Sequence, residues 1–208
     1  MRREITGFSN PLLKEVRGLR EKKLRKRAGL FLAEGLRIMT EARDAGFLPE
    51  MLFRVKDREV HALEIALESA VLAAGYDVIE TNAEIMAKLS GKDNAQALVG
   101  VYRDHGTALE DIDRSQAPIW LVAQAMRDPG NLGTMLRTGD AVGAGGLILI
   151  DDCTDPFSVE AVRASMGAIF TQKVVQCRWD DFISWLRKDA GQLVGTSLRT
   201  DIDYQSAT

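Results

Sequence analysis

The sequence predicts an α/β fold in two parts: a small α/β unit, then a second α/β unit built on a parallel sheet. Three observations carry this. Short apolar runs alternate with helical, amphipathic stretches along the 208 residues. From residue 118 onward the alternation becomes a regular strand–helix–strand repeat, which calls for a parallel sheet with helices on both faces. Between the two regimes the chain is polar and aperiodic from 103, so 107–117 is expected to link units at 1–106 and 118–208.

In the first unit, Asn10-Pro11 pairs a capping residue with the residue best suited to the first helical position. Leu12, Leu13, Val16, Leu19 and Leu24 then recur at helical spacing, so 10–27 predicts one basic helix. Residues 29–35 cross to a second helix that carries Leu36, Ile38, Met39 and Ala42 and stops at Gly46. A strand is expected at 51–55, a helix at 58–74 ending on Gly75, and a strand at 76–80. A short helix at 82–89 and a strand at 97–102 complete the unit.

In the second unit the expected strands are 119–123, 147–150, 174–177 and 193–196. The intervening helices are 132–142, closed by Gly143; 156–169, capped by Asp155; and 180–188. Each strand is short and apolar, as burial on both faces requires.

Composition removes several classes. A hydrophobic fraction of 46% with 27% charged residues excludes a disordered chain, a collagen-like repeat and a disulfide scaffold. No apolar run approaches the ~18 residues of a membrane span, and no apolar region follows Met1-Arg2-Arg3-Glu4 as in a secretory signal. A cytoplasmic protein without a membrane partner is the expectation. Cys153 and Cys177 lie 24 positions apart without a CxxC partner and read as free thiols. His61 and His105 are isolated, so neither a zinc site nor a hydrolytic triad can be assembled from spacing.

The net charge of −3 hides an asymmetry. Through Arg27 there are ten basic and three acidic side chains, a local charge of +7 that leaves −10 for the remainder. A basic block on an acidic body is the pattern of a polyanion-binding arm, with a solvated helix face as the plainer reading.

Ligands of open parallel sheets collect beyond the carboxyl ends of the strands. Four segments occupy such positions: 128–137, 151–158, 177–180 and 196–203. In the first, Pro129-Gly130 forces a tight turn, and Asn131 either caps the helix or points its amide into the crevice. Arg137 is the only cation in the first two turns of that helix, suited to a surface, a phosphate or a catalytic role. Gly133 reads as a close-packing glycine. Gly143, Gly145 and Gly146 follow a helix and precede a strand, the reverse of a dinucleotide cradle, so a nucleotide-dependent oxidoreductase is the weaker reading.

The run DPGNLGTMLRTGDAVGAGGLILIDDCTDPFSVEAVRASMGAIF resembles the first signature of the SpoU/TrmH family of RNA ribose 2′-O-methyltransferases. NPLLKEVRGLREKKLRKRAGLFLAEGLRIMTEA resembles the ribosomal-protein-like substrate-binding domain that many members carry. The resemblance implies an RNA substrate, rRNA or tRNA, S-adenosylmethionine as cofactor, and a homodimer. It implies that Asn131 and Arg137 stand beside the methyl acceptor, that Ser165 and Gly167 pack behind the site, and that Thr196 touches the cofactor. Arg25, Lys26, Arg27, Glu34 and Gly35 match an RNA-facing basic–EG signature, where Glu34 and Gly35 serve equally as a helix entry. Members continue to a Gly-x-Glu segment and a Ser-Leu-Asn stretch that ties a trefoil knot. Neither occurs here, so the resemblance implies an α/β-knot domain that stops before its knot.

The chemistry fits these residue types. A ribose hydroxyl is a poor nucleophile, so methyl transfer needs in-line placement and stabilisation of charge developing on oxygen. Arg137 can clamp a phosphate and offer N–H donors, but a guanidinium stays protonated, so its expected role is orientation and electrostatic stabilisation, not proton abstraction. The competing reading is a non-catalytic RNA-binding module that keeps only the basic arm. Aromatic residues make up 6% of the chain and few lie near that arm, so phosphate and shape recognition are expected to outweigh stacking there.

Overall fold

A computed structural model describes residues 1–91, 95–188, 191–196 and 203. Its strands form two sheets. The first comprises β1 (Arg2–Glu4), β2 (Leu30–Glu34), β3 (Met51–Val55), β4 (Asp77–Thr81) and β5 (Leu98–Arg103), in the order β1-β4-β3-β5-β2. β1, β4 and β3 run parallel, whereas β5 pairs antiparallel with both β3 and β2. Around it pack α1 (Pro11–Gly18), α2 (Lys22–Ala28), α3 (Leu36–Asp44), α4 (Ala62–Ala73) and α5 (Ala83–Ser90). The second sheet is parallel, with β6 (Leu121–Gln124), β7 (Gly146–Ile150) and β8 (Lys173–Cys177) in sequence order. Its helices are α6 (Pro129–Ala141), α7 (Val159–Ala164) and α8 (Trp179–Leu186).

The expected helix at 10–27 is two helices. Arg25 explains the break: its Nη1 donates to the carbonyls of Leu19 at 2.9 Å and Arg20 at 2.6 Å, satisfying acceptors that α1 leaves open at its end. Glu21 then takes an extended conformation and starts α2 afresh. The crossing at 29–35 contains β2, whose Phe31, Leu32, Ala33 and Glu34 are all buried. β1, wholly exposed and polar, pairs along the edge of β4.

The two sheets share a core. The Phe31 ring on β2 lies 5.0 Å from that of Phe157 and 5.8 Å from that of Phe170, both in the second unit. Tyr102 stacks on Phe31 at 5.8 Å and meets Phe170 at 4.8 Å, and the His105 ring joins the group through Phe47 and Phe170. Residues 107–117 are not a free tether. They form two short 3-10 turns, and Leu109 and Ile112 bury against Ile148, Val175 and Phe182 of the second sheet.

The helix expected at 156–169 is shorter than its pattern. Ser158, not Asp155, caps α7, its Oγ accepting from Ala161 N–H at 3.2 Å. Met166 (φ 54°) and Gly167 (φ 106°) then reverse the chain before a 3-10 turn at Ala168–Phe170. The strand expected at 193–196 does not form: these residues are irregular and exposed, and among the described residues no strand pairs with them.

Candidate active site and basic face

β6 and β7 end side by side in left-handed residues, Ala125 (φ 51°) and Asp151 (φ 60°). For Ala this conformation costs about 1–2 kcal/mol, and such strain gathers at functional sites. Asp151 ties the crest together. Its carboxylate accepts from Gln124 Nε2 at 2.9 Å and from the Trp179 N–H at 3.0 Å, linking β6, β7 and α8. The Gln124 bond first, then the Trp179 N–H, holds this carboxyl below the ordinary range. Beneath it the buried Cys153 thiol donates to Ile150 O at 3.3 Å and accepts from Met126 N–H at 3.3 Å.

α6 rises from this crest. Asp128 is its cap, with Oδ1 accepting from Asn131 N–H at 2.6 Å, so the Asn131 side chain is not spent on capping. The helix buries Leu132, Gly133, Leu136 and Gly139 and exposes Asn131, Thr134, Arg137 and Thr138. Asn131 and Arg137 therefore flank the exposed arc of the helix, about 9 Å apart along the axis and about 120° apart around it. Among the described residues Arg137 has no hydrogen-bond or ion-pair partner, which leaves its guanidinium available to an anion.

Gly133 sets how closely α6 approaches α7. A Cβ there would collide with Ala164 Cβ and lie 2.7 Å from Ser165 N. Ser165 is itself buried, its Oγ donating to Val162 O at 2.7 Å. At Gly167 an added Cβ would stand 2.7 Å from Glu41 Cβ of α3. Gly133→Ala is expected to destabilise the protein by about 1–3 kcal/mol through overpacking, read as a lower urea midpoint.

The basic signature divides. Lys26 and Arg27 are exposed on α2, as an RNA-facing role requires. Arg25 does not face solvent: it is 5% exposed, and its Nε and Nη2 donate to Asp155 Oδ2 at 3.1 and 2.6 Å. The expected RNA contact at Arg25 is thus replaced by a buried ion pair that joins the two units. Glu34 is buried at the end of β2. Gly35, at φ 97°, starts α3 while its N–H donates to Leu98 O at 3.0 Å. Both sit as a helix entry, not on an open surface. Thr196 lies in exposed, irregular chain.

Sequence patterning did not single out Arg127 and Asp152, whose ion pair at 2.9 Å stands immediately before α6. Arg127 first, then Lys22 of α2, lowers the Asp152 carboxyl below its ordinary range. The charges of α2 thus reach the crest from which α6 starts. Nothing in the spacing of 22, 127 and 152 announces this. Cys177, at the end of β8, is different: burial, then Asp181 and Asp151, pushes its thiol up to about 11. It is expected to resist alkylation at neutral pH and to react only as the solution approaches that value, followed by mass spectrometry of iodoacetamide-treated protein.

Among the described residues no cluster of His, Cys, Asp or Glu is arranged to hold a metal ion. No helix among them is long and apolar enough to cross a membrane.

Two family models match the chain. Residues 10–100 match the MRM3-like substrate binding domain, and residues 118–208 match the SpoU rRNA Methylase family. The crystal structure of an AdoMet-bound rRNA methyltransferase from Sinorhizobium meliloti aligns with 100% of this chain and 77% of its own, at 36% identity and a TM-score of 0.89. The 23S rRNA (guanosine(2553)-2′-O)-methyltransferase RlmP of Bacillus subtilis is 26% identical over 98% of this chain and 77% of its own length. An uncharacterised tRNA/rRNA methyltransferase of Synechocystis is 32% identical over 79% of this chain, which spans 58% of that relative.

Proposed function

The chain belongs to the SpoU rRNA methylase family, and on that premise we propose that it methylates a ribose 2′-hydroxyl in rRNA or tRNA, with S-adenosylmethionine as cofactor. The observation that carries the reading is the exposed face of α6. There Asn131 stands in the first turn of α6, at the crest of a parallel sheet, and Arg137, without a partner among the described residues, is exposed two turns further along the helix.

In this reading Arg137 clamps a phosphate beside the target nucleotide, and its N–H donors stabilise negative charge growing on the 2′-oxygen. The Asn131 amide orients the ribose, since its backbone N–H already satisfies Asp128 and its side chain is left to the substrate. Lys26 and Arg27 hold the flanking backbone through phosphate contacts. Residues 1–106 act as the RNA substrate-binding domain and 118–208 as the methyltransferase domain, joined by 107–117.

S-adenosylmethionine supplies the methyl group. Thr196, the candidate contact, is exposed, and the cavities at α1–α2, α1–α5, β8–α8 and behind Trp120 do not touch Asn131, Arg137 or Thr196. In this reading Asn131 and Arg137 act on the acceptor side of the reaction. We also place the protein in the cytoplasm, as its composition suggests, and by the family resemblance as a homodimer.

Incubation of the protein with methyl-tritiated S-adenosylmethionine and either rRNA or tRNA tests the function. Label is expected in one RNA class, and its absence from both would overturn the proposal. Lys26→Ala and Arg27→Ala are each expected to reduce the slope of log affinity against log salt by about one, measured by RNA binding across a salt series.

A further inference from the structure

Because the chain breaks at Leu19–Glu21, α1 and α2 leave an open groove of about 510 Å³ between them, floored by β2 and β3. The floor is apolar, made by Leu12, Val16, Leu24, Leu30 and Met51. Lys14 and Arg27 stand on its rim, with Glu15 as the one acidic neighbour. We propose that this groove receives an unstacked nucleobase of the bound RNA. The proposal rests on RNA being the partner.

Three arguments support a nucleobase as the occupant. The volume lies within the ~300–1,000 Å³ of small-ligand sites. The floor offers apolar side chains to a flat π-face, while the planar Arg27 guanidinium can stack on the base and Lys14 can meet its phosphate. The charge of the surroundings selects a polyanion. With +7 carried by residues 1–27, the groove's surroundings attract a polyanion, and a symmetric contact between the arms of two copies would bring like charge against like charge.

The geometry of α2 connects the groove to the catalytic crest. At 100° per residue, Arg25 and Lys22 face the second unit, Lys23 and Lys26 face solvent, and Leu24, Arg27 and Ala28 line the groove. A strand crossing the outward face of α2 therefore has the crest at Asp152 on one side and the groove on the other. The backbone would be read by lysines, and one base would turn inward behind them.

The test compares an oligouridylate with an abasic ribose-phosphate oligomer of the same length, by fluorescence anisotropy at low salt. Wild type is expected to prefer the oligouridylate about fivefold or more, the lower bound for one stacked base. Ala28 is exposed on the groove wall, so Ala28→Trp fills the space without changing charge. It should erase the preference while leaving the salt slope and the affinity for the abasic oligomer unchanged. Ala28→Ser should retain the preference. Leu12→Gln, on the α1 side of the floor, should weaken it and guards against a folding defect special to α2. Equal binding of both oligomers by wild type, or a preference that survives both disabling variants, would overturn the groove assignment alone. A dimer in sedimentation that Ala28→Trp dissociates would also overturn it, by naming a second copy as the occupant. Failure of wild type to bind either oligomer would overturn the RNA reading itself.

Discussion

Arg137→Lys is expected to lower methyl transfer about 10²–10³-fold, the usual loss when one preorganised donor to a developing oxyanion is removed. RNA affinity should stay nearly unchanged. The reason lies in the difference between the two cations. Lysine keeps the positive charge that attracts a phosphate, but it loses the planar fork that can hold that phosphate and still aim an N–H at the 2′-oxygen. Arg137 is exposed on α6 and has no partner among the described residues, so the substitution should leave the fold intact. Single-turnover methylation and RNA binding, measured on the same preparation, separate the two effects. Near-normal turnover in the lysine variant would remove Arg137 from the site.

Arg25→Ala is expected to cost about 3–5 kcal/mol of stability, the penalty for leaving one member of a buried ion pair without the other. Arg25 and Asp155 are 5% and 8% exposed, and Asp155 has no other cation bonded to it among the described residues. The same substitution also frees the carbonyls of Leu19 and Arg20 at the break between α1 and α2. Because the pair joins β2's neighbourhood to the segment before α7, its loss should loosen the contact between the two units as well as lower the urea midpoint. Asp155→Ala should cost a similar amount, and the double variant should cost clearly less than the sum of the two. Additive losses would show that the two side chains act independently.

These two arginines show what could be read from the sequence and what could not. The exposed position of Arg137 is legible, because it is the lone cation on a helix that starts at a strand end and local spacing fixes that relation. The position of Arg25 is not. Inside a run of six basic residues in eight, local pattern reads it as part of an exposed arm, whereas its partner lies 130 positions away. β2 was passed over for a related reason: Leu30-Phe31-Leu32-Ala33 is apolar on both faces and shows no alternation. The opposite error arose at 193–196, where Leu193 and Val194 suggest a strand but are 49% and 53% exposed. The parallel pairing of β6, β7 and β8, by contrast, follows directly from the strand–helix rhythm. Of the two roles the sequence leaves open to Asn131, capping falls to Asp128, three residues earlier, and the amide is left free.

The central claim is that the methyl group goes to a ribose oxygen. It can be tested by labelling RNA with methyl-tritiated S-adenosylmethionine and hydrolysing the product in alkali. A 2′-O-methyl group blocks attack of the 2′-oxygen on the adjacent phosphate, so the label should appear in an alkali-resistant dinucleotide. Recovery of the label in mononucleotides, as a methylated base would give, would contradict the account.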